Sequence, residues 1–557
     1  MRLARPPFHF SFRALLPIAG TLALLIGAGY LASYAIWQDA SHNTVTALTT
    51  GWGDLFFHIR VGTFLAEQGW WPQESFVLSG ESVGYAFAAD LLSGWLWRLG
   101  LPTAAAFSLP TIVLAMLLVG LCEWLVWKMT KSWAAAIIST LLFVSFGGLS
   151  GWLILAELRA APTAWTLALR NLPHGVTAWH EADMVILNPF IMMLHQRAYL
   201  LGFPLFVGLL YVSWRFFLEK SYYALVSIII GGLLLAFLHP FTWAAFLLIW
   251  LSWLGWMLLL HASAYTKREL AWIAGAALAI GLGGWYIISL LQPSAGAASL
   301  GLHPGWLAPN STWPIFWFKN IGLYILLAPV ATVLLLKNNR PLAALVLSSL
   351  TPFVAANLFR FAPWDWDNTK IFAPGWLIIA IAVGTLLGSW WQQKNWGGKL
   401  AVMLLLPVLG LSGGLEIMRA VSHRTTPLLL TTPTDEKIGA AVRSLTQPND
   451  VVLTAPSFNH PVFVYAGRPS FLAYEGWLWS QGWQGKYEER LRDSREIFSG
   501  GTTTATLLQK NNITIVVIGP PELQNGANKP WFDQHYPRLL TEQDYSVYRV
   551  AEVPLDL

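Results

Sequence analysis

The sequence predicts an α-helical polytopic membrane protein of about eleven transmembrane helices, N-terminus inside and C-terminus outside, followed by a small α/β extracytoplasmic domain. Three observations lead there. Of 557 residues, 55% are hydrophobic and only 11% are charged, against roughly 25% charged in an ordinary soluble domain. With a mean hydropathy of +0.52, this excludes a water-soluble globule and a disordered chain. Apolar runs of the length needed to cross about 30 Å of hydrocarbon recur along most of the chain. The short connections on one side of those runs are all basic, which orients them. The single cysteine, Cys122, excludes an internal disulfide framework and any multi-cysteine metal centre.

Taken in order, the runs fall at 13–36, 104–127, 133–155, 199–217, 222–239, 242–260, 270–291, 320–336, 341–358, 372–390 and 400–417. One set of connections carries Arg2, Arg5 and Arg13, Lys128 and Lys131, Arg215 and Lys220, Lys267 and Arg268, Lys337 and Arg340, and Lys394 and Lys399. The positive-inside rule places this set in the cytoplasm and everything beyond residue 418 outside a plasma (inner) membrane. The formal charge of +5 resides in these anchors, so it is not a nucleic-acid footprint. The first run follows a basic start, yet it exceeds an h-region of about 7–15 residues and lacks a clear cleavage site, so it reads as an uncleaved anchor.

A transmembrane domain over 1–418 therefore has outer segments at 37–103, 156–198, 292–319 and 359–371, rich in Trp and in acidic and His residues. Within 54–69 and 83–99 apolar residues recur at helical spacing in runs too short and polar to span, which suits helices lying in the interface plane. From about 420 charged residues become frequent, and 419–557 reads as a separate soluble domain. There Thr434–Gln447 is an amphipathic helix with Thr434 or Asp435 near its N-cap, and Asp450–Ala455 is a buried strand. A helix-like stretch at 486–510 precedes the strand Ile513–Gly519, and Tyr545–Val550 alternates like an edge strand.

Candidate chemistry clusters in the outer segments. In Gly51–Gly62 (GWGDLFFHIRVG), Asp54 and His58 share a helix face with Arg60 to one side. A carboxylate at a water–lipid boundary can accept a proton from a hydroxyl, while His and Arg balance phosphate charge. Equally, Gly53-Asp54 before an apolar-periodic run is a good N-cap signal. Pro363–Lys370 (PWDWDNTK), after Arg360, gathers Asp365, Asp367 and Lys370. The open readings are a substrate or metal role, or a Trp-anchored loop held by ion pairs. Asn188–Tyr199 places His195 and Arg197 at the mouth of a span, where Arg197 is either a phosphate ligand or a snorkelling anchor. His239, before Pro240, ends a span on the same face. His180, Glu181 and Asp183 read as a solvated loop, since their spacing matches no helical ligand pair. In the tail, Arg468, Glu475 and Trp477 lie in an aromatic, Gly-rich stretch suited to sugar stacking or to domain packing.

A first transmembrane helix, then an outer loop with GDxxxHIRxG, a Gly-Trp-Trp-Pro break at 69–72 and a second interfacial helix resembles the GT-C superfamily of polytopic glycosyltransferases. That superfamily includes oligosaccharyltransferase catalytic subunits, protein O-mannosyltransferases and aminoarabinose transferases. The resemblance implies a membrane glycosyltransferase that moves a sugar from a polyprenyl-phosphate-linked donor to a lipid, glycan or protein acceptor on the outer face. It implies Asp54 as the essential carboxylate of the first outer loop. It also suggests that His58, Arg60, His195, Arg197, His239, Arg360 and Lys370 bind substrate, and that Asp365 and Asp367 bind Mg²⁺ or Mn²⁺ if a metal is used. The tail lacks the Trp-Trp-Asp-Tyr-Gly motif of oligosaccharyltransferases, which argues against Asn glycosylation. A polytopic transporter or lipid flippase with an extracytoplasmic domain is the alternative. Transporters set polar groups near the midplane of broken helices, whereas the polar clusters here lie outside the spans.

Overall fold

The computed structural model describes residues 12–41, 43–48, 51–160, 172, 175–178, 180–260, 265–291, 300–308, 312–422 and 428–550. Much of the expected outer segment 156–198 and of 292–319 therefore lies outside the described residues, as does the Glu181 side chain. Apolar runs become helices wherever nothing polar or prolyl interrupts them. The first is α1 (Phe12–Ala32); a hairpin of β1 (Ile36–Asp39) and β2 (Thr44–Ala47) follows, then α2 (Trp52–Gln68) and α3 (Ala88–Arg98). The bundle continues with α4 (Thr103–Thr130), α5 (Trp133–Val144), α6 (Ser150–Ala160), α7 (Pro189–His195), α8 (Arg197–Glu219), α9 (Tyr222–Leu238), α10 (Pro240–Leu260) and α11 (Lys267–Leu291). After β3 (Gly301–Leu302) come α12 (Trp313–Ile321), α13 (Tyr324–Asn338), α14 (Arg340–Ser348) and α15 (Leu350–Leu358), then β4 (Phe359–Arg360), α16 (Thr369–Gln392) and α17 (Trp396–Ser422).

This is a polytopic membrane fold. Among the described residues, seven stretches are long and apolar enough to cross a bilayer: α4, α8, α10, α11, Arg340–Leu358, Asp365–Gln392 and α17. The α12–α13 pair, bent by 78°, makes an eighth, while α1, α5 and α9 are apolar but shorter. Each of the expected runs falls on one of these helices, with two differences. The 133–155 run stops at Val144 and restarts as α6, because Leu149 N–H donates to the Lys319 carbonyl at 2.7 Å and takes the chain out of the helix. The 320–336 run bends at Gly322, whose φ of 64° is left-handed.

Beyond α17 lie β5 (Leu428–Thr431), α18 (Pro433–Leu445), β6 (Val452–Leu453), α19 (Pro461–Tyr465), α20 (Glu475–Ser480), α21 (Gln484–Ser499) and α22 (Thr504–Lys510). β7 (Ile515–Ile518), α23 (Pro520–Gln524), α24 (Lys529–His535), β8 (Arg538–Glu542) and β9 (Tyr545–Arg549) complete the described chain. The four-stranded sheet runs β6-β7-β9-β8, with β6 parallel to β7 and the other pairs antiparallel. The strand expected at the edge, β9, is thus central, paired on both sides, and its middle three residues are buried. The edge is β8, whose polar RLLTE was not read as a strand. The N-cap of α18 is Thr432, in a capping box with Asp435, two residues earlier than Thr434. The helix expected over 486–510 breaks at Gly500, whose φ is 69°.

The tail does not hang free. β5 pairs with β2, making a three-stranded sheet β1-β2-β5 from both ends of the chain. One hydrophobic cluster joins Phe56, Phe64 and Phe76 of the first outer segment to Phe463, Trp477 and Tyr548 of the tail. Consequently α2, expected to lie in the interface plane, is buried along nearly its whole length under α19 and α20.

Candidate active site

The site is organised by α2. Its N-cap is Gly51, which makes no side-chain capping bond, so Asp54 does not cap the helix but sits in its first turn. There the helix dipole favours a negative charge. A glycine is required at position 51, since a Cβ there would stand 2.9 Å from His195 Nδ1 and 2.8 Å from Leu55 Cδ1. The absence of that carbon lets α7 seat His195 over the start of α2. Asp54 is half-buried, and the Gln196 side-chain amide donates to its Oδ2. Burial pushes the Asp54 carboxyl above the usual carboxylate range; His58 and Lys370 oppose that rise, and Asp367 adds to it. Lys370 Nζ is 3.0 Å from Asp367 Oδ1, at the start of α16, and 5.2 Å from the centre of the Phe241 ring.

One turn along α2, His58 Nδ1 meets Asp90 Oδ2 at 2.8 Å, and Arg197 Nε meets Asp90 Oδ1 at 2.8 Å. All three side chains are buried, so each charge must find its compensation within the network. The Asp90 carboxylate accepts hydrogen bonds, so His58 donates to it through Nδ1–H. The rest of the Arg197 guanidinium is satisfied by the Phe107 carbonyl at 2.8 Å, Thr111 Oγ1 at 2.9 Å and Ser93 Oγ. Tyr85 packs 5.9 Å from the His58 ring, and its phenol is held well above its ordinary pKa, first by burial and then by Asp90 and Asp54.

The structure therefore brings Asp54, His58, His195, His239, Asp367 and Lys370 to one region, and separates the remaining candidates. His239 is buried there, stacked 4.5 Å from Tyr199, whose hydroxyl donates to the Lys370 carbonyl. His195 is pushed down to about 4, first by burial and then by His58, and so carries no charge at neutral pH. Arg60 points the other way, towards the tail: Nε donates to the Phe76 carbonyl of the first outer segment at 3.0 Å, the guanidinium donates to the Arg468 carbonyl of the tail, and it lies between the Phe64 and Phe463 rings. Burial takes it down to about 9. Arg360 and His303 face Asp365 at 3.5 and 3.7 Å in a second, more exposed cluster beside Trp364 and Trp366. The two aspartates proposed for metal thus each face their own cation, Asp365 with Arg360 and Asp367 with Lys370. Among the described residues no three His, Cys, Asp or Glu side chains gather around one point.

In the tail, Arg468 is buried and spans the Thr446 and Arg443 carbonyls and Glu67, while Trp477 packs 5.3 Å from Phe57. Both act as packing between tail and α2. Asp90 and Gln196 were not singled out in the sequence. The signal for Asp90 was a lone acid inside the apolar stretch AADLLSGW, which must find partners when buried; Gln196 carried none.

No protein-family model matches the sequence, and no curated protein matches it. Solved structures do. ArnT from Cupriavidus metallidurans bound to undecaprenyl phosphate aligns over 96% of this chain and 98% of its own, at 11% identity and a TM-score of 0.52. Its apo state aligns over 97% and 98%, at 12% identity and the same TM-score of 0.52. The chain shares its overall fold with ArnT. The archaeal oligosaccharyltransferase AglB from Archaeoglobus fulgidus, in complex with an inhibitory peptide and a dolichol-phosphate, covers 98% of this chain with 76% of its own, at 11% identity and a TM-score of 0.45. The likeness to ArnT runs through both bundle and tail.

Proposed function

We propose that this chain is a membrane glycosyltransferase that transfers a sugar from a polyprenyl-phosphate-linked donor to an acceptor on the outer face of a plasma membrane. The observation that carries the reading is the half-buried Asp54 carboxylate, raised in pKa by burial and close enough to the Lys370–Asp367 pair to feel both charges. The undecaprenyl phosphate in the ArnT structure supports the donor class, and the alternation of basic connections supports the outer side. In this reading an acceptor hydroxyl gives its proton to Asp54 and attacks the anomeric carbon. The bond from that carbon to the lipid phosphate oxygen breaks, and the phosphate leaves with the electron pair. Lys370 meets that negative charge where it develops. Direct displacement inverts the anomeric centre. Arg197 and Asp90 act at one remove, holding His58 beside Asp54, and no step requires a metal.

The test is incubation of the purified full chain with isoprenoid-phosphate sugars and a panel of acceptors, read by mass spectrometry. Asp54→Asn lowers transfer by roughly 10²–10⁴-fold, the usual contribution of a positioned base, with unchanged melting temperature. Undiminished transfer by that variant removes Asp54 from the mechanism.

A further inference from the structure

At the end of the bundle away from Asp54, helices α8, α10, α13 and α14 and Tyr265, just before α11, line an open cavity of about 680 Å³. Arg197 opens α8 beside the active site and Lys220 follows its last residue, so 23 residues of helix put the two about 34 Å apart. Trp214, Phe217 and Met257 form an apolar wall of the cavity; Lys220, Lys337 and Arg340 form its polar part. Lys220 is partly neutralised by Glu269 at 3.7 Å and lies 4.4 Å over the Tyr265 ring. Lys337 and Arg340 have no acidic partner among the described residues. The Tyr265 hydroxyl, shut from solvent and without a hydrogen-bond partner, lines the same cavity.

Here two exposed cations without an acidic partner, a buried hydroxyl without a partner and an apolar wall line one open cavity at the level where helix ends meet the membrane surface. The chemistry complementary to that combination is a phosphate anion carried on acyl chains. We infer that this cavity binds the headgroup of an anionic phospholipid from the leaflet opposite the active site. Its phosphate meets Lys337, Arg340 and the Tyr265 hydroxyl, and its chains run along the Trp214–Met257 wall.

The experiment uses the full chain purified in neutral detergent, with native mass spectrometry and melting temperature read after adding phosphatidylglycerol, phosphatidylcholine or inorganic phosphate. The expected result is that phosphatidylglycerol is retained and raises the melting temperature, and that phosphatidylcholine and phosphate do neither. The double variant Lys337→Gln/Arg340→Gln retains phosphatidylglycerol roughly thirtyfold more weakly, as two cations at a membrane surface would contribute. Lys267→Gln, an exposed cation at the same end but outside the cavity, retains it as the parent chain does. Equal retention of the two lipids, an equal shift from inorganic phosphate, or an effect of Lys267→Gln matching the double variant overturns the inference. The comparison of lipids on the parent chain stands even if the double variant fails to fold.

Discussion

Asp54 and Asp90 lie on facing helices near one histidine, yet their surroundings assign them different work. Asp90 is wholly buried between Arg197 and His58, so Asp90→Asn strands a buried guanidinium and costs about 3–5 kcal/mol of stability. A thermal melt checks this: the Asp90 variant falls sharply while the Asp54 variant stays near the parent. Asp54 is instead half-buried in the first turn of α2, and its raised pKa gives a direction for the pH profile. A base is lost as pH falls through its pKa, so the acid limb of kcat/KM lies above the ordinary carboxylate value. His58 is the first of the charges that lower that pKa, so His58→Gln moves the acid limb to still higher pH. A limb that does not move separates His58 from Asp54. At this scale the sequence revealed Asp54 and His58 through their helical spacing. It did not reveal that Arg60, two residues on, turns into the tail, because that depends on which neighbour covers each face of α2.

The contact between α2 and α3 is what makes the His58–Asp90 bond possible. A Cβ on Gly94 would stand 2.3 Å from the Gly62 carbonyl oxygen, and one on Gly62 would stand 2.6 Å from Phe107. Gly94→Ala therefore drives the helices apart, at a cost of about 1–3 kcal/mol for an overpacked contact. It also lowers transfer by lengthening the 2.8 Å His58–Asp90 bond; circular dichroism melts and the transfer assay on the same preparation read both. The existence of most helices was legible from apolar run length. The tail strands were less so: β9 alternates as an edge strand would, and only its pairing with both β7 and β8 reveals it as central. Periodicity reports the faces of a strand and is silent on what lies along its edges.

At the scale of the molecule, the first outer segment and the tail share one core, with Phe56, Phe64 and Phe76 buried against residues from 430 to 550. A chain ended after Ser422 exposes that surface and leaves β2 without its β5 neighbour. Such a truncation is expected to aggregate in detergent rather than to run as a monodisperse bundle in size-exclusion chromatography; a monodisperse, thermostable product would show that the bundle stands alone.

By itself the sequence determined that this is a polytopic membrane protein, where most of its helices fall, and that its polar chemistry gathers at helix ends near Asp54 and Lys370. Hydrocarbon tolerates neither charge nor unpaired backbone, so composition alone constrains those features. Only the tertiary structure decided that Arg197 is spent on Asp90 and that Arg60 and Arg468 tie α2 to the tail. A charged side chain in a buried site takes whichever partner the folded chain brings within about 3 Å, and that partner lies tens to hundreds of residues away.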